Sequence, residues 1–186
     1  RVAVNPGSSV CQPCVAGTAM PLPASNASCQ FCPTGYFQSG KAQSQCILCI
    51  PGKYQNLLGA SACELCPSGF FRGAQDSPTH CTACRRGEFQ AHRGRSQCQV
   101  CSPGRFQARS GAQDCDDCSA DTFSADSNRS WPCDPCPGGR SSVLSGSTSC
   151  SLCSVGFFQI THARANNYSC SACPRGYYSK KKNSPA

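Results

Sequence analysis

Residues 32–49 read CPTGYFQSGKAQSQCILC, and their pattern is the basis for predicting the fold. Glycine stands three residues after Cys32, the aromatic residue Phe37 stands five residues after it, and a C-x-x-C pair closes the stretch at Cys46. The glycine permits the positive φ of a tight turn, and the aromatic residue begins a short extended run. A module of this size has no room for a core larger than one ring and one disulfide. The stretch therefore predicts a short irregular hairpin stabilised by cysteines.

The same pattern repeats along the whole chain of 186 residues. Each of the 20 cysteines belongs to a C-x-x-C pair, and successive pairs begin 17 to 20 residues apart. A fixed period of this kind indicates a repeat architecture. We therefore expect one array of ten modules over residues 1–186, as a fragment of a longer protein. The pairs begin at Cys11, Cys29, Cys46, Cys63, Cys81, Cys98, Cys115, Cys133, Cys150 and Cys170.

The cysteine content also indicates the compartment. Cysteine makes up roughly 11% of the chain, above the roughly 8–10% that marks a disulfide scaffold. Cytosolic thiols stay reduced, whereas in an oxidising compartment they become cross-links. No run approaches the roughly 20 apolar residues that span a bilayer. We expect an extracellular or secreted, cell-surface location, without membrane insertion by this segment.

Two disulfide pairings are compatible with the spacing of the pairs. An interlocked register joins Cys11 to Cys29 and Cys14 to Cys32, and it uses every cysteine. A ladder register joins the second cysteine of one pair to the first of the next. It closes loops of about 15 residues, each worth roughly 3 kcal/mol in the chain-entropy model, and leaves Cys11 and Cys173 to pair with flanking modules. The ladder pairs are Cys14–Cys29, Cys32–Cys46, Cys49–Cys63, Cys66–Cys81, Cys84–Cys98, Cys101–Cys115, Cys118–Cys133, Cys136–Cys150 and Cys153–Cys170.

Zinc binding and thiol catalysis are two further uses of C-x-x-C pairs. The spacing is close to that of zinc ribbons, but equal modules would then need one zinc ion for every two pairs. A redox motif needs one activated pair in a βαβ setting, and ten similar pairs argue against it. The sequence contains no nucleophile elbow, phosphate loop or metalloprotease motif. We expect a chain that is not an enzyme and holds neither cofactor nor metal.

The pattern C-P-x-G-x-[FY] followed by a C-x-x-C pair resembles ephrin-receptor-type cysteine-rich repeats. It is also similar to the single-disulfide submodule of tumour necrosis factor receptor ectodomains. The resemblance is clearest at residues 32–37, 66–71 and 173–178. It implies the ladder register and an elongated rod. Tumour necrosis factor receptors alternate this submodule with a two-disulfide one, whereas a single type runs uninterrupted here.

Three sequons predict N-linked glycosylation. They are centred on Asn26, Asn128 and Asn167, and each falls in the same part of a module, just before a C-x-x-C pair. In an extracellular chain these exposed loops are accessible to glycosylation.

The formal charge of +8 is unevenly distributed. A run of arginines in the middle of the chain has two interpretations: a patch that binds acidic glycans or anionic head groups, or solvated surface charge. The candidate patch comprises Arg72, Arg85, Arg86, Arg93, Arg95, Arg105 and Arg109.

The predicted fold is small and disulfide-rich: a tandem array of ~17-residue irregular β-hairpin modules that forms an elongated rod with almost no helix, in which each module touches only its neighbours. We expect a structural segment, a stiff spacer or fibre component of a large cell-surface, matrix or appendage protein. Its expected partners are other copies or subunits of an extracellular assembly and acidic glycans, with no nucleic acid. The alternative is a receptor ectodomain that binds a protein ligand, which a patch of exposed apolar residues confined to one or two modules would favour.

Overall fold

The fold consists of small antiparallel hairpins. The computed structural model describes residues 2–3, 11–21, 28–162 and 167–179. Ten separate two-stranded sheets lie within these ranges, and no helix occurs there. The predicted array of hairpin modules with almost no helix is thus confirmed.

Most strands are two residues long, because each module has only one short extended run on either side of its loop. The strands in chain order are β1 (Val2–Ala3), β2 (Cys11–Gln12), β3 (Thr18–Ala19), β4 (Gln30–Phe31), β5 (Tyr36–Phe37), β6 (Ile47–Leu48), β7 (Lys53–Tyr54), β8 (Glu64–Leu65), β9 (Phe70–Phe71), β10 (Thr82–Ala83), β11 (Glu88–Phe89), β12 (Gln99–Val100), β13 (Arg105–Phe106), β14 (Asp116–Asp117), β15 (Thr122–Phe123), β16 (Asp134–Pro135), β17 (Arg140–Ser141), β18 (Ser151–Leu152), β19 (Phe157–His162) and β20 (Asn167–Ala172). Each odd-numbered strand pairs with the next one in the chain. The last hairpin is the longest, with six residues in each strand.

The hairpin β5–β6 shows how the repeat pattern makes a module. Gly35 has a φ of 84°, which allows the N–H of Tyr36 to donate to the carbonyl of Pro33 at 3.1 Å and close the turn. Phe37 then pairs with Ile47 across the hairpin. The N–H of Cys49 returns to the carbonyl of Gly35 at 2.9 Å. The glycine is therefore both the turn residue and the acceptor that closes the hairpin.

Nine regularly spaced disulfides stabilise the modules. Cys84 and Cys98 are both disulfide-bonded. The other pairs are Cys14–Cys29, Cys32–Cys46, Cys49–Cys63, Cys66–Cys81, Cys101–Cys115, Cys118–Cys133, Cys136–Cys150 and Cys153–Cys170. The register is that of the ladder. Among the described residues, the buried apolar groups are cysteines and Ala19, so sulfur takes the place of a hydrocarbon core.

Backbone hydrogen bonds join each module to the next. The N–H of Gly17 donates to the carbonyl of Gln38 at 2.7 Å, and that of Gly35 donates to the carbonyl of Gln55 at 2.6 Å. In the reverse direction, the N–H of Gly59 donates to the carbonyl of Cys32 at 2.8 Å. The modules are stacked by hydrogen bonds between main-chain polar groups, which need partners outside the short strands in a fold with so little regular structure.

The expectation that a module touches only its neighbours is wrong. A Cβ added to Gly17 would lie 2.8 Å from the carbonyl carbon of Gly59, two modules further on. Gly104 and Gly146 approach each other in the same way, also at 2.8 Å. The missing side chain of glycine permits this close approach, and the sequence pattern gave no indication of it.

The chain divides into two compact units. Unit 1 contains residues 1–83 and 90–98, and unit 2 contains residues 84–89 and 99–186. Hairpins β1–β2 to β9–β10 belong to unit 1, and β11–β12 to β19–β20 belong to unit 2. The part of the chain that the structure describes contains no helix that could span a membrane.

Candidate functional site

The glutamine that follows the module's aromatic residue holds the loop together. Gln107 is 3% exposed. Its Nε2 donates to the carbonyl of Asp114 at 2.8 Å, and its Oε1 accepts from the N–H of Arg109 at 3.0 Å. Gln38, Gln55 and Gln90 make the same pair of bonds, to the residues two and seven positions further on. The sequence pattern showed this repeated glutamine but not its role.

Arg72 occupies the glutamine position in its module and acts differently. Its side chain is 2% exposed. The guanidinium donates to the carbonyls of Cys49 and Lys53 in the preceding module, both at 2.5 Å, and to that of Asp76 at 3.2 Å. Arg72 is thus a buried bridge between modules, and it does not belong to an exposed basic patch.

A second buried arginine compensates for a missing glutamine. Ser124 stands at the glutamine position and is too short to span its loop. The guanidinium of Arg129, 5% exposed, donates instead to the carbonyl of Trp131 at 3.2 Å. That carbonyl is seven residues after Ser124, the same offset that the glutamines use. Arg129 also donates to the carbonyl of Pro132 at 2.7 Å and forms a two-pronged ion pair with Asp134.

The carboxylate of Asp134, which forms the ion pair with Arg129, is largely exposed. The hydrogen bond from the guanidinium lowers the pKa of Asp134 from its usual range, and burial opposes this shift. The distance from Nη2 to Oδ1 is 2.7 Å. Because a bidentate guanidinium–carboxylate contact fixes both groups in a plane, Asp134 orients the arginine that braces the loop.

A second ion-pair cluster lies on the neighbouring hairpin β13–β14. Arg105 donates to Asp117 at 2.7 Å and to Asp114 at 3.1 Å, and also to the carbonyl of Cys115. The hydrogen bond from Arg105 is the main cause that lowers the pKa of Asp114, with help from the N–H of Cys115. The same hydrogen bond raises the pKa of Arg105. Arg105 is therefore occupied within its own module.

The remaining arginines of the candidate patch are exposed. Arg93 and Arg95 belong to unit 1, and Arg85, Arg86 and Arg109 belong to unit 2. That these five arginines recognise an acidic partner stays a prediction. Two residues leave the candidate patch: Arg72, which is buried, and Arg105, which is ion-paired.

Two groups of exposed large apolar side chains lie close together along the chain. In unit 1 they follow one another over three neighbouring hairpins: Phe31, Ile47, Leu48, Ile50, Leu57, Leu58 and Leu65. Phe31 is 71% exposed, and its ring lies so close to Gly59 that a Cβ there would be 2.7 Å from it. In unit 2, Val143, Leu144, Leu152 and Phe157 line a shallow hollow of about 420 Å³ that also contains several serines. The repeated positions of the sequence pattern do not indicate the region of unit 1.

The structure describes one of the three sequon asparagines with its side chain. Asn128 is exposed and has a φ of 58°. Asn26 lies outside the described residues, and Asn167 lies on β20 with a side chain that is also outside them. Glycosylation at the three positions stays a prediction.

Two cysteines are free thiols in this chain. Cys11 is exposed, and Cys173 is half-buried. Both were expected to pair with flanking modules, and that stays a prediction. Elsewhere in the described residues, no group of three or more His, Cys, Asp or Glu side chains is placed to hold a metal ion.

Comparison with known proteins identifies the family. Three matches to the family described as tyrosine-protein kinase ephrin type A/B receptor-like cover residues 35–79, 73–118 and 141–186. A glycine turn, a hairpin and at least one disulfide occur in each of these ranges. The chain belongs to this family of ephrin-receptor-like cysteine-rich repeats. No curated protein matches the chain.

Proposed function

We propose that this chain is a structural segment of an extracellular protein, a stiff spacer or fibre component. Family membership and the disulfide content indicate an extracellular domain. The main support for a spacer is the series of main-chain hydrogen bonds between neighbouring modules. In both units, the turn glycine of one module donates to the next, as Gly17 does to Gln38 and Gly104 does to Ser124.

Contacts between modules two apart support stiffness. If modules contacted only their immediate neighbours, the array could bend at each junction between two modules. A contact between the first and third of three consecutive modules resists bending at the junctions between them. The close approaches of Gly17 to Gly59, Gly52 to Gly94 and Gly104 to Gly146 supply such contacts. Each disulfide also closes its own loop, so that a module resists extension when the chain is pulled.

The shape in solution tests the proposal. Ten modules that each advance by roughly 10 Å would make a rod of about 100 Å, with a radius of gyration near 30 Å. A compact chain of this length has a radius near 16 Å. Small-angle X-ray scattering of the chain, secreted with its disulfides formed, distinguishes the two values. A radius near 16 Å would contradict the spacer.

A receptor ectodomain that binds a protein ligand is the second candidate. Leu57 and Leu58, adjacent exposed residues in the loop of one module of unit 1, favour it, because exposed apolar residues grouped in this way mark protein contacts. Leu57 and Leu58 are 63% and 69% exposed. Replacing both by serine leaves the disulfides and the glycine contacts unchanged. If the double variant lost binding to a cell surface that binds the unmodified chain, the receptor would be favoured over the spacer.

A further inference from the structure

Trp131 is an exposed aromatic residue that is held in place. It is the one tryptophan of the chain, and it is 61% exposed. Its carbonyl accepts a hydrogen bond from the Nε of Arg129 at 3.2 Å. The guanidinium carbon of the same arginine lies 5.4 Å from the centre of the indole ring, within the range of a cation–π contact.

The arginine that contacts this ring is itself fixed. Its guanidinium is almost fully buried and is bonded to the carbonyl of Pro132 and both carboxylate oxygens of Asp134. The indole is therefore supported on one side by a rigid cation, while more than half of its surface faces solvent. A large aromatic group that is ordered before binding loses little conformational entropy when a ligand covers it, and such groups commonly act as binding residues.

A candidate attachment site for an N-linked glycan lies three residues before Trp131. Asn128 begins the sequon Asn128-Arg129-Ser130 and is exposed. Its backbone is anchored, because its N–H donates to the carbonyl of Cys101 at 2.8 Å. Three residues of extended chain span about 11 Å at most, so the first sugars of a glycan on Asn128 can reach the ring of Trp131.

The module position of Asn128 is one at which an asparagine keeps the structure of the loop. Four other loops have a glycine of positive φ here, and each donates its N–H to a cysteine carbonyl in the same way, as Gly111 does to Cys84 and Gly146 does to Cys118. Asparagine is among the few other residues that adopt this conformation readily. The exchange keeps the turn and its hydrogen bond and adds an exposed side chain, whose amide oxygen lies next to Gly87.

We propose that Asn128 carries an N-linked glycan and that the exposed surface of Trp131 binds its first N-acetylglucosamine. In the attachment step, the amide nitrogen of Asn128 attacks C1 of the sugar on a lipid-pyrophosphate-linked oligosaccharide. An N–C1 bond forms, the bond from C1 to the pyrophosphate oxygen breaks, and the amide loses a proton as the lipid pyrophosphate leaves. The pyranose ring then places one face of its C–H groups on the indole. This inference goes beyond the spacer and holds equally for a receptor.

The single tryptophan makes the proposal directly measurable. The full chain is secreted from a eukaryotic cell as the unmodified protein, as Ser130→Thr, which keeps the sequon, and as Ser130→Ala, which removes it. Glycopeptide mass spectrometry gives the occupancy of Asn128, and acrylamide quenching of fluorescence gives the exposure of Trp131. We expect sugar on Asn128 in the first two proteins only, and a quenching constant at least twofold lower there than in Ser130→Ala.

Two further samples separate the parts of the proposal. Asn128→Gly, which restores the residue of the other loops, should be quenched like Ser130→Ala, and it replaces that variant if Ser130→Ala fails to fold. Trimming the unmodified protein to one N-acetylglucosamine should keep Trp131 protected. An unmodified Asn128 would overturn the proposal as a whole. Equal quenching with and without the sugar would overturn the binding of the sugar by Trp131.

Discussion

The backbone of Gly146 lies so close to Gly104 that there is no room for a side chain on Gly104. A Cβ there would be 2.8 Å from the carbonyl carbon of Gly146, and the φ of Gly104 is 82°. The two glycines belong to modules two apart, so this contact connects parts of the array that no disulfide joins. The repeated glycine thus has two roles, a turn residue within its module and a contact surface between modules.

We expect Gly104→Ala to destabilise unit 2 far more than Gly156→Ala. Both glycines have a φ above 80°, so both variants have the left-handed strain of roughly 1–2 kcal/mol. Gly156 has nothing within 4 Å of an added Cβ, whereas Gly104 also meets the backbone of Gly146. The difference in the free energy of unfolding is measured by urea unfolding, with the hydrogen exchange of the unit 2 amides as the signal. Equal effects would show that the close approach contributes no stability.

Loss of a buried loop glutamine should open that loop. Gln107→Ala removes the side-chain bonds to the carbonyl of Asp114 and the N–H of Arg109. A hydrogen bond contributes a net of roughly 0.5–1.5 kcal/mol, so with both bonds lost the amide of Arg109 should exchange at least tenfold faster. Gln99→Ala, at an exposed strand position, is the matched control and should change neither exchange nor stability.

Acid should weaken unit 2 before it affects the disulfides. The folded-state pKa values of Asp114 and Asp134 are lowered by their arginines. A carboxylate whose pKa is lowered on folding stabilises the fold above its unfolded pKa of about 4, and this contribution is lost as pH falls through the folded value. The melting temperature should therefore decrease below about pH 4. In Asp114→Asn/Asp134→Asn it should be lower at pH 7 and change less with acidification, and an unchanged slope would contradict this account.

The sequence predicted the hairpin array because the period determines where turns and cross-links fall. Gly35 and Phe37 recur with the cysteines, and a residue that repeats at every module has a role within the module that local chemistry can explain. The ladder register followed from the family resemblance. Contacts such as that of Phe31 with Gly59 lie beyond this reasoning, because they depend on how far one module rotates relative to the next.

The candidate sites were harder to predict for the same reason. Arg72 and Arg105 looked like surface charges, since the sequence does not show which carbonyls and carboxylates lie next to them. Arg72 is buried because its length reaches Cys49 and Lys53 in the module before it. Trp131 and Arg129 occur in one module only, and no periodic signal identifies a residue that occurs once.

The pairing of Ser124 with Arg129 predicts that one substitution rescues another. Arg129→Ala removes the donor to the carbonyls of Trp131 and Pro132 and leaves Asp134 without its ion pair, so the loop should open and unit 2 should lose stability. Ser124→Gln restores the residue that bonds seven positions further on in the other modules, as Gln107 does to Asp114. In Ser124→Gln/Arg129→Ala, the new amide should bond to the carbonyl of Trp131 and recover part of the lost stability.

The rescue depends on the hydrogen bond that glutamine donates across the loop and not on the bulk of its side chain. Ser124→Gln alone should be neutral or destabilising, because Arg129 already occupies the space and bonds to the same carbonyl. The control Ser124→Leu/Arg129→Ala has a side chain of similar bulk that cannot donate, and it should not recover stability. Melting temperatures of the five proteins, with hydrogen exchange in residues 124–132, give the coupling between the two positions. If leucine rescued as well as glutamine, Arg129 would act by filling space, and the shared role of arginine and glutamine in these loops would be wrong.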